Sequence, residues 1–237
     1  MNLNIFCKLK KALKILRYLP STMYFNFHYL PLKQAIKLPI LLYKPKLLKM
    51  NGSVVVSSKN IRFGMIRLGT YTVPLYPNSG ILWENNGGTV YFDGRCKIGN
   101  NSKLSIGKLG ILTFGDNFLA STSLKLACCN KIVFKENVRL AWDVIVIDTS
   151  FHRLKDMAGN YLGKGYGEII IGRNNWIPTR CTVLKGTRTP DYCIFGCASL
   201  LNKDYTDNPT HILMAGNPLT LKREGIWRDV DDDSIEY

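Results

Sequence analysis

Between Ile171 and Leu201 the apolar residues return every six positions. Ile171, Ile177, Val183, Phe195 and Leu201 share one phase, with Thr189 in the remaining slot. Four residues after these anchors sit Asn175, Cys181, Thr187, Cys193 and Ser199, all small or modest in size. One residue after them come Gly172, Pro178, Pro190 and Gly196, which favour turns. A period of six fits neither an amphipathic helix nor a lone alternating strand. It fits a coil of short strands and tight turns, in which each hexad lays one flat side of a prism. The anchor and the residue at i+4 then both point into a narrow core. The register recurs upstream as Phe92, Ile98 and Leu104, as Phe114, Ala120 and Leu126, and as Phe134, Leu140 and Val146. Its phase slips between sets, as small bulges or turn insertions would produce. The expected fold class is all-β, a parallel β-helix.

The flanks read differently. Residues 1–19 carry Ile5, Leu9, Ala12, Leu13 and Leu16 at helical spacing with lysines between them. This is a short basic amphipathic helix, expected to end at Pro20. Two readings stay open: it lies on an anionic membrane surface, or it packs its stripe on the rest of the protein. Residues 20–50, rich in aromatics and proline, are expected to add a helical turn or two around Leu32–Leu38 and to cap the open end of the coil. From Gly52 the pattern turns to strands, with Gly64, Gly69, Gly80, Gly87, Gly88 and Gly94 expected to supply turn conformations closed to other residues. After Val146 the repeat breaks, and an inserted loop of residues 149–168 leaves one edge. Long loops on rigid scaffolds are where function concentrates. Residues 211–218 read as a last strand and turn, 219–228 as a short helix against the coil, and the acidic end as a tail. The expected organisation is a helical and cap segment (1–50), a β-helix domain (51–218) and a C-terminal helix and tail (219–237).

Charge changes the picture at the N-terminal end. The chain of 237 residues has a formal net charge of +15, yet its first fifty residues contain no Asp or Glu. An anionic surface is the expected partner there. Nucleic acid is not expected, since the charge sits on an amphipathic end segment without a recognised motif. The seven cysteines include no C-x-x-C pair. Cys96, Cys181 and Cys193 fall on inward slots and read as small core residues, which points to a reducing compartment, the cytoplasm. Cys128 and Cys129 lack further Cys or His nearby, so no metal is expected. No run of eighteen apolar residues suggests a membrane span.

Four segments together carry a resemblance. They are the hexads at 171–201, the pentad Asp148-Thr149-Ser150-Phe151-His152, the Ile169–Ile177 run with Trp176, and Ala215-Gly216-Asn217-Pro218. In this order they resemble the left-handed β-helix acyltransferases of the hexapeptide-repeat superfamily, above all the bacterial polysaccharide O-acetyltransferases and the maltose and galactoside acetyltransferases. The likeness spans about half the chain. It departs from the family's pattern at Pro178, where glycine is usual, and at Arg188, where an apolar residue is usual.

The resemblance implies a left-handed coil, a homotrimer with active sites at subunit seams, and acetyl-CoA as the acyl donor. The acceptor it implies is a sugar hydroxyl in capsule or lipopolysaccharide biosynthesis, and a lipid-linked glycan would account for the basic N-terminus. His152 lies where the family keeps its catalytic histidine. Of the three histidines, only His152 stands at the lip of an insertion beside a carboxylate. It is the expected general base. Asp148 is expected to hold its tautomer or to grip a sugar hydroxyl. The cofactor is expected along the later coils, with Gly196, Cys197, Ala198 and Ser199 as an open turn for the pantetheine arm, Trp176 walling the thioester, and Lys185, Arg188 and Lys203 meeting phosphates. The alternative from a different class is a non-catalytic trimeric scaffold held at the membrane surface.

Overall fold

The structure, a computed structural model, describes residues 16–229. Three parallel sheets form a triangular prism. Sheet A contains Ile40–Leu42, Ile66–Thr70, Cys96–Gly99, Phe118–Thr122, Arg139–Trp142, Trp176–Ile177, Cys193–Phe195 and Ile212–Ala215. Sheet B runs from Pro45–Met50 to Leu200–Leu201, and sheet C from Ser53–Val56 to Ile169–Ile171. The chain visits A, B and C in turn, and every strand pairs with its counterpart one coil away. This is the all-β, parallel β-helix class that the six-residue period predicts.

The hexad anchors mark the inward ladders. Phe92, Phe114, Phe134 and Ile171 stack along sheet C, Ile98, Ala120, Leu140 and Ile177 along A, and Leu104, Leu126, Val146 and Val183 along B. All of them are buried. The three phenylalanine rings lie nearly parallel, with centroids 5.3 Å and 5.7 Å apart. The i+4 slots of the 171–201 hexads are buried as expected; upstream, those after the sheet C and sheet A anchors are buried too and hold larger groups such as Phe118 and Leu124, whereas Lys108, Asn130 and Ser150, four after the sheet B anchors, are not buried. The left-handed backbone position falls between anchor and i+4, at Asn101, Asn117, Asn137, Asn174, Arg180 and Ala198. Asn accepts that conformation more readily than most residues. Gly88 and Gly94, expected to serve as such turns, do not adopt it. A Cβ on Gly88 would lie 2.4 Å from the Gly110 carbonyl oxygen, and one on Gly94 would strike the Asp116 carboxylate. They are glycines because the coils approach closely.

The ends depart from expectation. Pro20 lies in the first turn of a helix, α1 (Leu19–Tyr29), since proline suits a first turn, where its missing N–H costs nothing. The expected amphipathic helix lies mostly outside the described residues. A one-turn helix, α2, spans Leu32–Ala35. The coil itself starts at Ile40, inside the segment assigned to the cap. Its first strand would expose unpaired backbone groups, and α1 covers them. Asn26 Nδ2 donates to the Ile40 carbonyl at 2.7 Å, Ile40 N–H donates to Asn26 Oδ1 at 3.2 Å, and Leu42 N–H donates to Thr22 Oγ1 at 3.1 Å. Two polar side chains thus stand in for a missing strand. At the far end Thr220–Glu224 forms an antiparallel strand on Ile212–Ala215, where a helix was expected. The open sheet edge needs backbone partners, which a strand supplies and a helix does not. Its outer edge is exposed and carries Lys222, Arg223 and Glu224, a composition that discourages further pairing.

Asn26→Ala orphans both backbone groups of Ile40 and is expected to cost about 2–4 kcal/mol in urea unfolding. Burial raises the Cys181 thiol to about 11, and burial reinforced by Asp191 raises Cys193 to about 12. Unfolded thiols release their protons from about pH 8.5, while these two keep theirs until about 11 and 12. The unfolded state is therefore favoured as pH rises, and stability falls across that window. The Cys181→Ala/Cys193→Ala double variant should show a shallower alkaline loss of unfolding free energy than the parent chain.

Candidate active site

The inserted loop leaves the B–C corner and returns as a hairpin, with Leu154–Lys155 antiparallel to Tyr161–Leu162. Its base is laced shut. Ser150 N–H donates to Gly165 O at 2.8 Å, Gly167 N–H to Asp148 O at 3.0 Å, and Thr149 bridges Tyr166. Beyond that base the arm is exposed, including Phe151, Leu154, Met157, Tyr161 and Leu162. Corners are where such an arm can leave, because the strand ladders on either side stay intact.

His152 stands exposed just above the base. Its carbonyl accepts from Ser150 Oγ at 2.8 Å, and among the described residues its ring touches no partner. The other two imidazoles are engaged. A ring nitrogen of His28 lies 2.6 Å from the Met50 carbonyl. His211 stacks on Tyr192 at 4.4 Å, with Nδ1 2.9 Å from Thr210 Oγ1.

Asp148 does not serve His152 in the single chain. It is fully buried, and its two oxygens accept the backbone N–H groups of Cys129 and Asn130, each at 2.8 Å. It ties the departing loop to the preceding coil. The sequence signal was ambiguous because a carboxylate four residues before a histidine reads the same in either role. Burial, with Asp148 nearby, pushes the Cys128 thiol well up, so this thiol stays protonated and inert.

The expected cofactor residues divide between corners. Lys185 joins His152 at the B–C corner, where its ammonium donates to Ser150 Oγ at 3.1 Å and to Lys164 O at 3.3 Å. It holds the loop. Arg188 is paired with Glu168 at 2.9 Å, and Glu168 also meets Lys131 at 3.3 Å. Lys203 is exposed one coil further on, its ammonium 5.6 Å from the Tyr205 ring centroid. The 196–199 turn lies at the A–B corner, across the width of sheet B. It is less open than expected. A Cβ on Gly196 would lie 2.6 Å from Ala215 Cβ. Ser199 is buried, and its Oγ accepts Gly216 N–H at 3.0 Å. Only Cys197 and Ala198 of this turn are exposed. Trp176 sits on the outer face of sheet A, 36% exposed, with the Arg228 guanidinium 5.9 Å from its ring.

Cys197 and Ala198 line a cleft of about 640 Å³ with Arg180, Asp143, Trp142 and Tyr76. Tyr76 comes from residues 71–80, which fold over this corner; its hydroxyl donates to Asp143 and its ring packs edge-on against Trp142 at 6.1 Å. Sequence reasoning missed this wall. The only signal was the Pro74-Leu75-Tyr76-Pro77 run, which interrupts an early coil.

The fold and the arm define the class: a capped, three-sided parallel β-helix with one thrown-out, imidazole-bearing hairpin. No family model and no curated protein matches the chain. Among solved structures it is similar to the polySia-specific acetyltransferase NeuO, at 18% identity over 84% of this chain and 82% of that one, with a TM-score of 0.42. It is also similar to a galactoside acetyltransferase in complex with coenzyme A, at 17% identity, 90% and 81% coverage and a TM-score of 0.37. A third is a maltose O-acetyltransferase from Clostridium difficile 630, at 16% identity, 91% and 88% coverage and a TM-score of 0.37. At these scores the likenesses place no residue, and the fold stands on the strand ladders.

Asp148→Ala would leave two backbone N–H groups without their charged acceptor. It is expected to lower stability by about 1.5–3 kcal/mol and to speed hydrogen exchange at Cys129 and Asn130.

Proposed function

We propose that this protein is an acetyl-CoA-dependent O-acetyltransferase acting on a sugar hydroxyl in surface-polysaccharide biosynthesis, with His152 as general base. The observation that carries the reading is the state of the three imidazoles. Two are engaged by neighbours, and only His152 has a ring without a partner among the described residues, on an arm hydrogen-bonded shut at its base. A neutral imidazole near physiological pH is well matched to accept a hydroxyl proton. In the step proposed, the acceptor oxygen bonds to the thioester carbonyl carbon while its proton passes to a ring nitrogen of His152. The carbon–sulfur bond then breaks, and the leaving thiolate takes that proton. Asp148 has no part in it beyond fixing the base of the arm.

The working unit in this reading is a homotrimer. The donor groove is expected around Cys197, Ala198 and Trp176, which one chain keeps away from its own His152. The arm also exposes the apolar side chains of Phe151, Leu154 and Met157. A neighbouring protomer would both cover the arm and bring the groove to the imidazole. No helix among the described residues is long and apolar enough to cross a membrane. The reading places the enzyme in the cytoplasm, with residues 1–19 resting on the inner membrane face beside a lipid-linked acceptor.

The test is thiol release from acetyl-CoA over a panel of free and nucleotide-linked sugars. His152→Ala should lower kcat by about 10²–10⁴-fold, with acetyl-CoA binding and circular dichroism unchanged. Full activity in that variant would remove His152 as the base. An intact trimer that neither binds nor turns over acetyl-CoA would leave a scaffold.

A further inference from the structure

A second cleft, of about 570 Å³, lies on the opposite side of the 71–80 insertion, beside the start of α1. Among the described residues four cations line it, Arg17, Lys44, Arg67 and Lys97, and no carboxylate does. Arg67 and Lys97 stand directly opposite one another on adjacent strands of sheet A. Like charges in that position destabilise a sheet. Burial and the neighbouring Arg67 charge both lower the Lys97 ammonium from its usual range, and Lys97 has no acidic partner among the described residues.

The other side chains are held for an incoming group. Arg67 Nε donates to Gly64 O at 2.9 Å, which leaves its two terminal nitrogens for a ligand. Lys44 Nζ donates to Asn78 O at 2.7 Å and keeps two further protons. Thr70, which also lines the cleft, is 8% exposed, and its buried hydroxyl has no partner among the described residues. Phe63 and Tyr71 line the same cleft and are largely exposed. Flat apolar rings beside a cluster of cations suit a ligand that joins a polyanion to a ring.

We infer that this cleft binds a pyrophosphate ester of a sugar. Four positive charges match a pyrophosphate better than a single carboxylate, and the aromatic walls offer faces for the attached ring. The same chemistry occurs in a nucleotide-linked sugar and in a polyprenyl-linked one. The site is independent of His152 and of acetyl-CoA, so it stands or falls apart from the acyl-transfer reading.

The experiment uses the full chain with three probes: inorganic pyrophosphate, a nucleoside diphosphate sugar, and neutral vesicles with and without a polyprenyl pyrophosphate. Pyrophosphate should bind, raise Tm and weaken with added salt. Arg67→Gln and Lys97→Gln should each weaken it by about tenfold, while Lys125→Gln, on the outer face of sheet B, should not. Without ligand, Lys97→Gln should unfold at a temperature equal to or above that of the parent, because it relieves the cross-strand repulsion. That opposition separates a binding role from simple misfolding. A stronger response to the soluble sugar names a nucleotide source, and one to the vesicles names a lipid source. Absence of binding by all three probes would overturn the inference, as would affinities unchanged in both variants.

Discussion

Every coil in this protein is held by hydrogen bonds to the coil before and the coil after. That one requirement shapes the rest of the molecule. A parallel strand pairs only with strands one full turn away, so no coil is complete alone. The interior is then filled by like-for-like stacking. Phe114 lies between Phe92 and Phe134 in nearly parallel array, and each ring buries the faces of its neighbours. The gain is cooperative along the axis, and it leaves two ends that cannot be satisfied by repetition.

The ends are solved by different means. At the start, Asn26 and Thr22 present side-chain donors and acceptors at strand spacing to Ile40 and Leu42. At the finish, the chain doubles back as an antiparallel strand with a charged, exposed edge. The first device is buried and specific, and the second is exposed and general. A helix can close one end because its polar groups need only match a three-residue strand. The other end offers a longer edge and takes a strand.

The corners carry the variation. Strand ladders tolerate no insertion without losing pairing, whereas a corner can lengthen freely. The two largest insertions, 71–80 and 149–168, are both corner excursions. They build opposite kinds of surface. The first folds down, seals Tyr76 onto Asp143 and divides two clefts. The second stands up, exposes apolar side chains and carries an imidazole outward. Charge follows the same division. Acids at 136, 168 and 191 pair with cations of the later coils, while Arg67 and Lys97 of the early coils have no acidic partner among the described residues.

The six-residue period by itself determined the prism, its inward anchors and the place of the break at 149–168. Burial in a narrow core imposes a local rule on side-chain size, and a local rule is visible in one dimension. Tertiary structure alone decided what each polar residue near the break does. Asp148 reads as a partner of His152 by sequence distance, yet it bonds the backbone of residues 129 and 130 because a coil brings those groups closer than the chain does. Lys185 and Ser199 changed roles for the same reason. The strand at 220–224 and the facing of Arg67 with Lys97 were also invisible, since both depend on which edges and ladders meet after the coil has closed.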